Sequence, residues 1–213
     1  METTEATSRF LFLGNALCLD FVNTERMRDG ERVDLIEDAD DLWAWIVEAG
    51  AMTPEAAEDA AIQVTPQQAL AEARELRVAV RGMVEAIVCG EPVSKEAVAV
   101  VNAHLIRRRG YSQLTLSDDG IGREFRAEYI GGQDFLYAVA ESAAEILANG
   151  DWGLIRKCES ARCILFFYDT TKNHGRRWCS MEGCGNRHKA AEHYRRRRAK
   201  NAPYETLGAE KPL

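Results

Sequence analysis

Cys158-Glu159-Ser160-Ala161-Arg162-Cys163 is followed, after a short connection, by Trp178-Cys179-Ser180-Met181-Glu182-Gly183-Cys184-Gly185-Asn186-Arg187. The two cysteine pairs share one x4 spacing and run straight into a strongly basic segment. Four thiolates in two local pairs suit a closed tetrahedral Zn2+ site, and two short chelate loops joined by a hairpin-length connection close with little loop entropy. Disulfides, or four unrelated buried thiols, are the rival readings. Met1 to Arg9 is polar, and Phe10 to Cys18, interrupted by Gly14 and Asn15, is too short for a signal-peptide core. No apolar run approaches the ~20 residues that span a membrane. The expected location is therefore the cytoplasm, without a membrane partner, where a reducing milieu favours metal over disulfide. One structural zinc on Cys158, Cys163, Cys179 and Cys184 is the expectation. Cys18 and Cys89 lie in apolar settings and read as core filling.

With 213 residues, 46% of them hydrophobic, the chain can form one medium domain plus a small appendage. Its net charge of -7 is unevenly placed. From Arg156 to Lys200 there are 13 Lys+Arg against 4 acidic residues, a net of +9, which leaves -16 on the remainder. Four thiolates plus one Zn2+ lower the tail only to about +7. Such segregation is the footprint of a polyanion-binding tail on an acidic body. Docking of the acidic and basic parts on each other is the alternative.

The body reads as mainly helical. Asp38 or Asp40 caps a helix through Leu42, Trp45 and Ile46 that stops at Gly50. Thr53-Pro54 and Thr65-Pro66 each place an N-cap before a first-turn proline, and the second opens a long helix ending at Gly90. Ser94 starts a helix that runs to Gly110, and a further helix covers about Asp134 to Asn149. Arg9 to Leu13 alternates, with Phe10 and Phe12 on one face. Gln113 to Phe125 reads as a hairpin around Asp118-Asp119-Gly120, and the two stretches could pair in a small sheet. Gly150-Asp151-Trp152-Gly153 marks the boundary, so the division is 1–152 for the helical domain, 153–202 for the finger and 203–213 for a tail. This linker is too short to be a flexible tether, which places the finger on or beside the body.

Between the cysteine pairs, Ile164 to Tyr168 is strand-like, Asp169 to Gly175 supplies turn residues, and Arg176 to Trp178 returns toward Cys179. Gly185 is expected to take unusual backbone angles, and Asn186 to cap the helix that follows. The pattern is that of a treble-clef-like finger, with a β-hairpin and a basic helix. At about 100° per residue, Ala190, Ala191 and Tyr194 cluster on one face and should pack against the hairpin. Lys189, His193, Arg196 and Lys200 line the other face, with Arg197 on its border, and suit phosphate contacts or guanine edges. Arg187 falls on the inner side, where it braces the fold or holds one phosphate.

Cys158-x4-Cys163, Asp169, Asn173, Arg176-Arg177-Trp178-Cys179, Met181 and Cys184-Gly185-Asn186-Arg187 resemble the CGNR zinc-finger family. Gly14-Asn15-Ala16-Leu17-Cys18-Leu19-Asp20-Phe21-Val22-Asn23-Thr24 resembles the opening of the ABATE domain, a helical module that precedes this finger in bacterial proteins described as stress-induced transcription regulators. The resemblance covers nearly the whole chain, with no departure at the four ligand positions. It implies a zinc-binding, DNA-binding regulator whose N-terminal module senses a small-molecule effector.

Asp20, Asn23 and Thr24 come at i, i+3 and i+4, one polar face beside Leu17 and Phe21. Two readings stay open, a structural set that satisfies backbone groups and a ligand pocket. Catalytic motifs are absent: there is no Gly-x-Ser-x-Gly, P-loop or His-Glu-x-x-His. His104, His174, His188 and His193 have no acidic partner at a motif spacing. His104 reads as an exposed or satisfied helix residue and His174 as a turn residue. An all-cysteine site leaves no open metal position for water. The expectation is a non-enzymatic regulator that contacts DNA, the alternatives being a zinc-stabilised protein-interaction module or a small-molecule-binding domain coupled to the finger. A finger this small covers few base pairs, so specific recognition calls for a homodimer or a partner.

Overall fold

The computed structural model describes residues 8–107, 109–117, 120–128 and 134–200. The turn expected at 118–119, the tail 203–213 and the side chain of Lys200 lie outside the described residues. The architecture is mainly α, with small antiparallel hairpins and a C-terminal zinc finger. No helix among the described residues is long and apolar enough to cross a membrane.

A short helix, α1 (Leu17–Val22), enters the core first and buries Cys18, Leu19, Phe21 and Val22. Further helix starts follow local chemistry. Asp38 caps α2 (Ala39–Glu48) by accepting from the Asp41 N–H. The hydroxyls of Thr53 and Thr65 accept the third-residue amides of α3 (Pro54–Gln63) and α4 (Pro66–Cys89), each with proline where no N–H is needed. Gly90, at φ +72°, closes α4 in the left-handed conformation that a residue with a Cβ resists. α4 is central: it packs on α1 and α2 and against α5 (Lys95–Leu105), and buries Leu76, Val80, Met83 and Val84. Each such side chain contributes about 1.5–3 kcal/mol of transfer free energy.

Several expectations are corrected. α5 starts after Ser94 but ends at Leu105 rather than Gly110, because Arg109 already belongs to β3 (Arg109–Ser117). α6 (Tyr137–Asn149) starts later than Asp134, with Phe135 and Leu136 buried ahead of it. Among the described residues β3 pairs only with β4 (Gly120–Glu128), and no strand forms at Arg9 to Leu13. There Phe10 is buried while Phe12 is exposed beside the Trp45 ring. Cys89 is exposed on the last turn of α4, off its apolar face. His104 is neither exposed nor satisfied: it is buried, and its Nδ1 has no hydrogen-bond partner among the described residues.

A hairpin absent from the sequence reading, β1 (Glu25–Arg28) and β2 (Glu31–Asp34), turns on Asp29 (φ +52°) and Gly30 (φ +93°). Asp-Gly is the turn such a hairpin needs. Its charged strands lack an apolar alternation, and two buried arginines of α4 supply the docking instead. Arg77, 3% exposed, donates to both carboxylate oxygens of Asp34 and, at 2.7 Å, to Thr24 Oγ1. Arg81, 7% exposed, donates to the Val22 carbonyl at 2.6 Å and pairs with Glu25 at 3.1 Å. A guanidinium so buried is tolerable only with its charge matched, and Arg81 Nε lies beside the Glu25 carboxylate although it makes no hydrogen bond among the described residues.

The finger opens with a 3-10 turn (Trp152–Leu154) and β5 (Ile155–Lys157), which pairs antiparallel with β6 (Phe166–Tyr168). The hairpin partner therefore precedes the first cysteine, whereas the sequence suggested the segment Arg176 to Trp178. The buried Asp169 carboxylate accepts from Thr171 N (3.0 Å), Thr171 Oγ1 (2.6 Å) and Arg176 N (2.9 Å), and this folds 169–176 into a tight turn. The finger is fastened to the body by side-chain amides. Asn23 Nδ2 donates to the Phe166 carbonyl at 2.8 Å and its Oδ1 accepts the Phe166 N–H at 2.9 Å, while Asn15 Nδ2 donates to the Tyr168 carbonyl at 2.9 Å. Asn23→Ala leaves a buried N–H and C=O without partners, and a loss of about 2–4 kcal/mol is expected in urea denaturation. A loss below about 0.5 kcal/mol would show that the clasp is dispensable.

Candidate metal centre and basic helix

Cys158 and Cys163 bracket the loop that joins β5 to β6, where Cys158 N–H donates to Leu165 O and Cys163 N–H to Ser160 O, both at 2.9 Å. Cys179 and Cys184 bracket a wide π-type turn, Met181–Gly185, which runs directly into α7 (Asn186–Lys200). The four Sγ atoms lie within 4.8 Å of one another, with Cys163 to Cys179 at 3.8 Å and Cys179 to Cys184 at 3.5 Å. Zn–S bonds of ~2.3 Å at tetrahedral angles place sulfurs roughly 3.8 Å apart. The donor set and spacing thus fit one structural zinc, with all four positions taken by protein. Four sulfurs this close cannot all carry negative charge unaided, because neighbouring thiolates repel one another. A divalent cation removes this conflict by letting all four ionise.

The surroundings offset the negative charge of a tetrathiolate. Arg187 NH2 donates to Cys184 Sγ at 3.0 Å, and Cys179 N–H to Cys158 Sγ at 3.4 Å. Hydrogen bonding to Cys184 raises the Arg187 pKa further. Arg176 donates to the Leu13 carbonyl at 2.7 Å and sits 4.1 Å from the Phe167 ring centroid, so it ties the finger loop to the chain before α1. Asp169 and Arg176 stood out in the sequence only as motif letters: the partners of Asp169 are local, at Thr171 and Arg176, whereas Arg176 reaches Leu13, far away in the chain.

Two expectations about the helix entrance are corrected. Asn186 is helical (φ -67°, ψ -38°), and Ser180 does the capping, its Oγ accepting the Gly183 N–H at 3.0 Å. The helical winding begins one turn earlier than the sequence implies. Gly185 does not have a positive φ; it is needed for space, since a Cβ there would stand 2.9 Å from Met181 Sδ and 3.3 Å from a Trp178 ring carbon.

α7 presents Lys189, His193, Arg196 and Arg197 to solvent, while Arg187 turns back to the thiolate. The backbone of α7 reaches Lys200. Ala190 and Ala191 are exposed and Tyr194 is 69% exposed, so the expected packing of this face on the hairpin does not occur. Two alanines and one tyrosine bury too little apolar area to hold a four-turn basic helix flat. Its root is held instead by His188 on the Trp178 ring, centroids 4.7 Å apart.

The polar trio, Asp20 within α1 and Asn23 and Thr24 just after it, is engaged within the protein. Asp20 Oδ1 accepts the Gly14 N–H at 2.7 Å, Asn23 clasps Phe166, and Thr24 Oγ1 donates to the Phe21 carbonyl at 2.7 Å while accepting from Arg77. None of the three lines either cavity bordering the cysteines, one of about 670 Å3 beside Trp178 and one of about 340 Å3 beside Arg187. Burial raises the Asp20 pKa to about 6, against the opposing bonds from Gly14 and Leu13.

Arg187→Ala removes the cation from the Cys184 thiolate, and zinc affinity is expected to fall about 10–100-fold in chelator competition. Unchanged affinity would mean that the contact has no role in metal binding. Asp20 titrates higher folded than unfolded, so its contribution is full below about pH 4 and is lost as pH rises through about 6. Relative to Asp20→Asn, the native protein should lose roughly 2–3 kcal/mol between pH 4 and pH 7. The difference between the two proteins cancels other titrations, including that of His104, which burial pulls down to about 4. A pH-independent difference in urea midpoints would contradict this.

A search of curated proteins found no match. The profile of the CGNR zinc finger matches residues 155–197, which contain all four cysteines and the root of α7. That of ABATE, described as "Putative stress-induced transcription regulator", matches residues 15–150, from Asn15 to the end of α6. The chain therefore belongs to the ABATE family and carries a CGNR zinc finger at its C-terminus.

Proposed function

We propose that the protein is a DNA-binding transcriptional regulator in which zinc is structural and α7 contacts the phosphate backbone. The observation that carries this reading is the exposure of Lys189, His193 and Arg195 to Arg198 on a helix rooted in the metal centre. These basic side chains project from the metal centre and are exposed among the described residues. A free helix of this charge suits a duplex groove, where cations fix register on phosphates and arginine reads guanine. Arg196 also pairs with Glu192 at 2.6 Å, a contact that phosphate would replace. The reading is of a binding protein rather than an enzyme, because four cysteine ligands close the coordination sphere to substrate. Specific recognition by so short a contact calls for two copies on adjacent half-sites.

The zinc-loaded protein should bind duplex DNA with an affinity that falls steeply with salt. Arg196→Gln with Arg197→Gln should lower the slope of log K against log salt by about 0.9 for each phosphate contact removed. Absence of salt-dependent binding to duplex at low ionic strength would overturn the proposal. Acidic-protein partners that survive nuclease treatment would then favour the interaction-module reading.

A further inference from the structure

A second basic surface lies where the body meets the finger. The cleft of about 340 Å3 beside the metal centre is walled by Arg26 and Arg28 of β1, Arg162 of the first cysteine loop and Arg187 of α7, with no carboxylate in its lining. Nearby arginines that serve the fold are paired: Arg32 with Glu25, Arg77 with Asp34, and Arg81 with Glu25 and the Val22 carbonyl. In the cleft, Arg187 answers the Cys184 thiolate, and the other three arginines have no carboxylate within hydrogen-bond distance among the described residues. Arg26 and Arg162 have no ion-pair or hydrogen-bond partner among the described residues, and Arg26 Nε is buried without an acceptor. Arg28 meets only Asp29, at 4.0 Å, with both side chains largely exposed.

Guanidiniums are not gathered around a cleft without cost. Like charges repel, and a buried N–H without an acceptor is destabilising. A zinc tetrathiolate of charge about -2 answers part of the field, chiefly through Arg187, and leaves a surplus of about +2 from the four arginines. A tetrahedral oxyanion fits the remainder, since each guanidinium offers paired donors matched to phosphate oxygens. The geometry points to a phosphate-binding cleft in which Arg26, Arg28 and Arg162 hold a phosphate group against the zinc knuckle. The phosphate belongs either to the backbone of a nucleic acid or to a small phosphorylated molecule. In the first case the inference rests on the reading of α7 given above, and it makes the body's hairpin part of the nucleic-acid interface. In the second it stands without that reading.

The test uses the intact zinc-loaded protein, Arg26→Gln/Arg28→Gln/Arg162→Gln, and separately Arg196→Gln/Arg197→Gln. None of the three cleft arginines pairs with the core, so zinc content and circular dichroism should be unchanged. Calorimetry with sodium pyrophosphate and anisotropy with a fluorescent duplex across a salt series are the two readouts. The cleft variant is expected to lose at least about tenfold in pyrophosphate affinity, or to lower the DNA salt slope by about 0.9 per contact. A lowered slope assigns the phosphate to the nucleic-acid backbone. Lost pyrophosphate binding with an unchanged slope assigns it to a small molecule. If the cleft variant matches the native protein in both measurements, the cleft proposal is overturned. Weakening by the α7 variant alone would keep the α7 reading and sink the cleft. The reverse pattern would sink the α7 reading and keep the cleft.

Discussion

The alternation of two phenylalanines along β6 is the constraint on which the rest of the structure depends. Successive side chains of a strand point to opposite faces, so Phe166 enters the helical core while Phe167 packs among the metal-binding cysteines. One three-residue strand thereby serves two cores at once. Its backbone is satisfied on one edge by β5 and at Phe166 by the Asn23 amide, which imitates a neighbouring strand. The short linker at 150–153 is held as well, with Trp152 Nε1 donating to the Leu147 carbonyl and Asp151 N–H to the Tyr168 hydroxyl. The metal centre is accordingly built onto the body rather than tethered to it.

Charge is handled by position. Buried arginines of α4 meet the carboxylates of the β1–β2 hairpin, and this fixes the hairpin beside the finger. Arg187 offsets a thiolate, and the remaining basic residues of α7 stay in water. In water they cost little and remain available to a polyanion. Buried arginine–carboxylate pairs contribute little net stability, but removing one partner typically costs about 3–5 kcal/mol. The network therefore specifies where the hairpin sits more than it strengthens the fold.

Much of the helical body was legible from the chain because helix caps are local. Asp38, Thr53-Pro54, Thr65-Pro66, Ser94 and Gly90 each act within one turn of their own position. Helix ends without such a signal were misjudged, as with α5, which yields to β3 before Gly110. The β1–β2 hairpin escaped because its strands are charged and their partners, Arg77 and Arg81, lie more than forty residues away on α4. The apolar face assigned to α7 failed for a related reason: periodicity shows which residues share a face, and only available area decides whether that face is buried.

The sequence by itself determined the metal ligands, the family motifs and the separation of an acidic body from a basic tail, since residue type and spacing along the chain decide these. Tertiary structure alone decided that Asn23 is a clasp on Phe166, that Gly185 is required by Met181 and Trp178, and that Arg187 answers Cys184. It alone brought Arg26 and Arg28 of the body beside Arg162 of the finger. The physical reason is reach: coordination and capping act over a few residues, whereas the partners of a buried polar group are found only after the chain has folded back on itself.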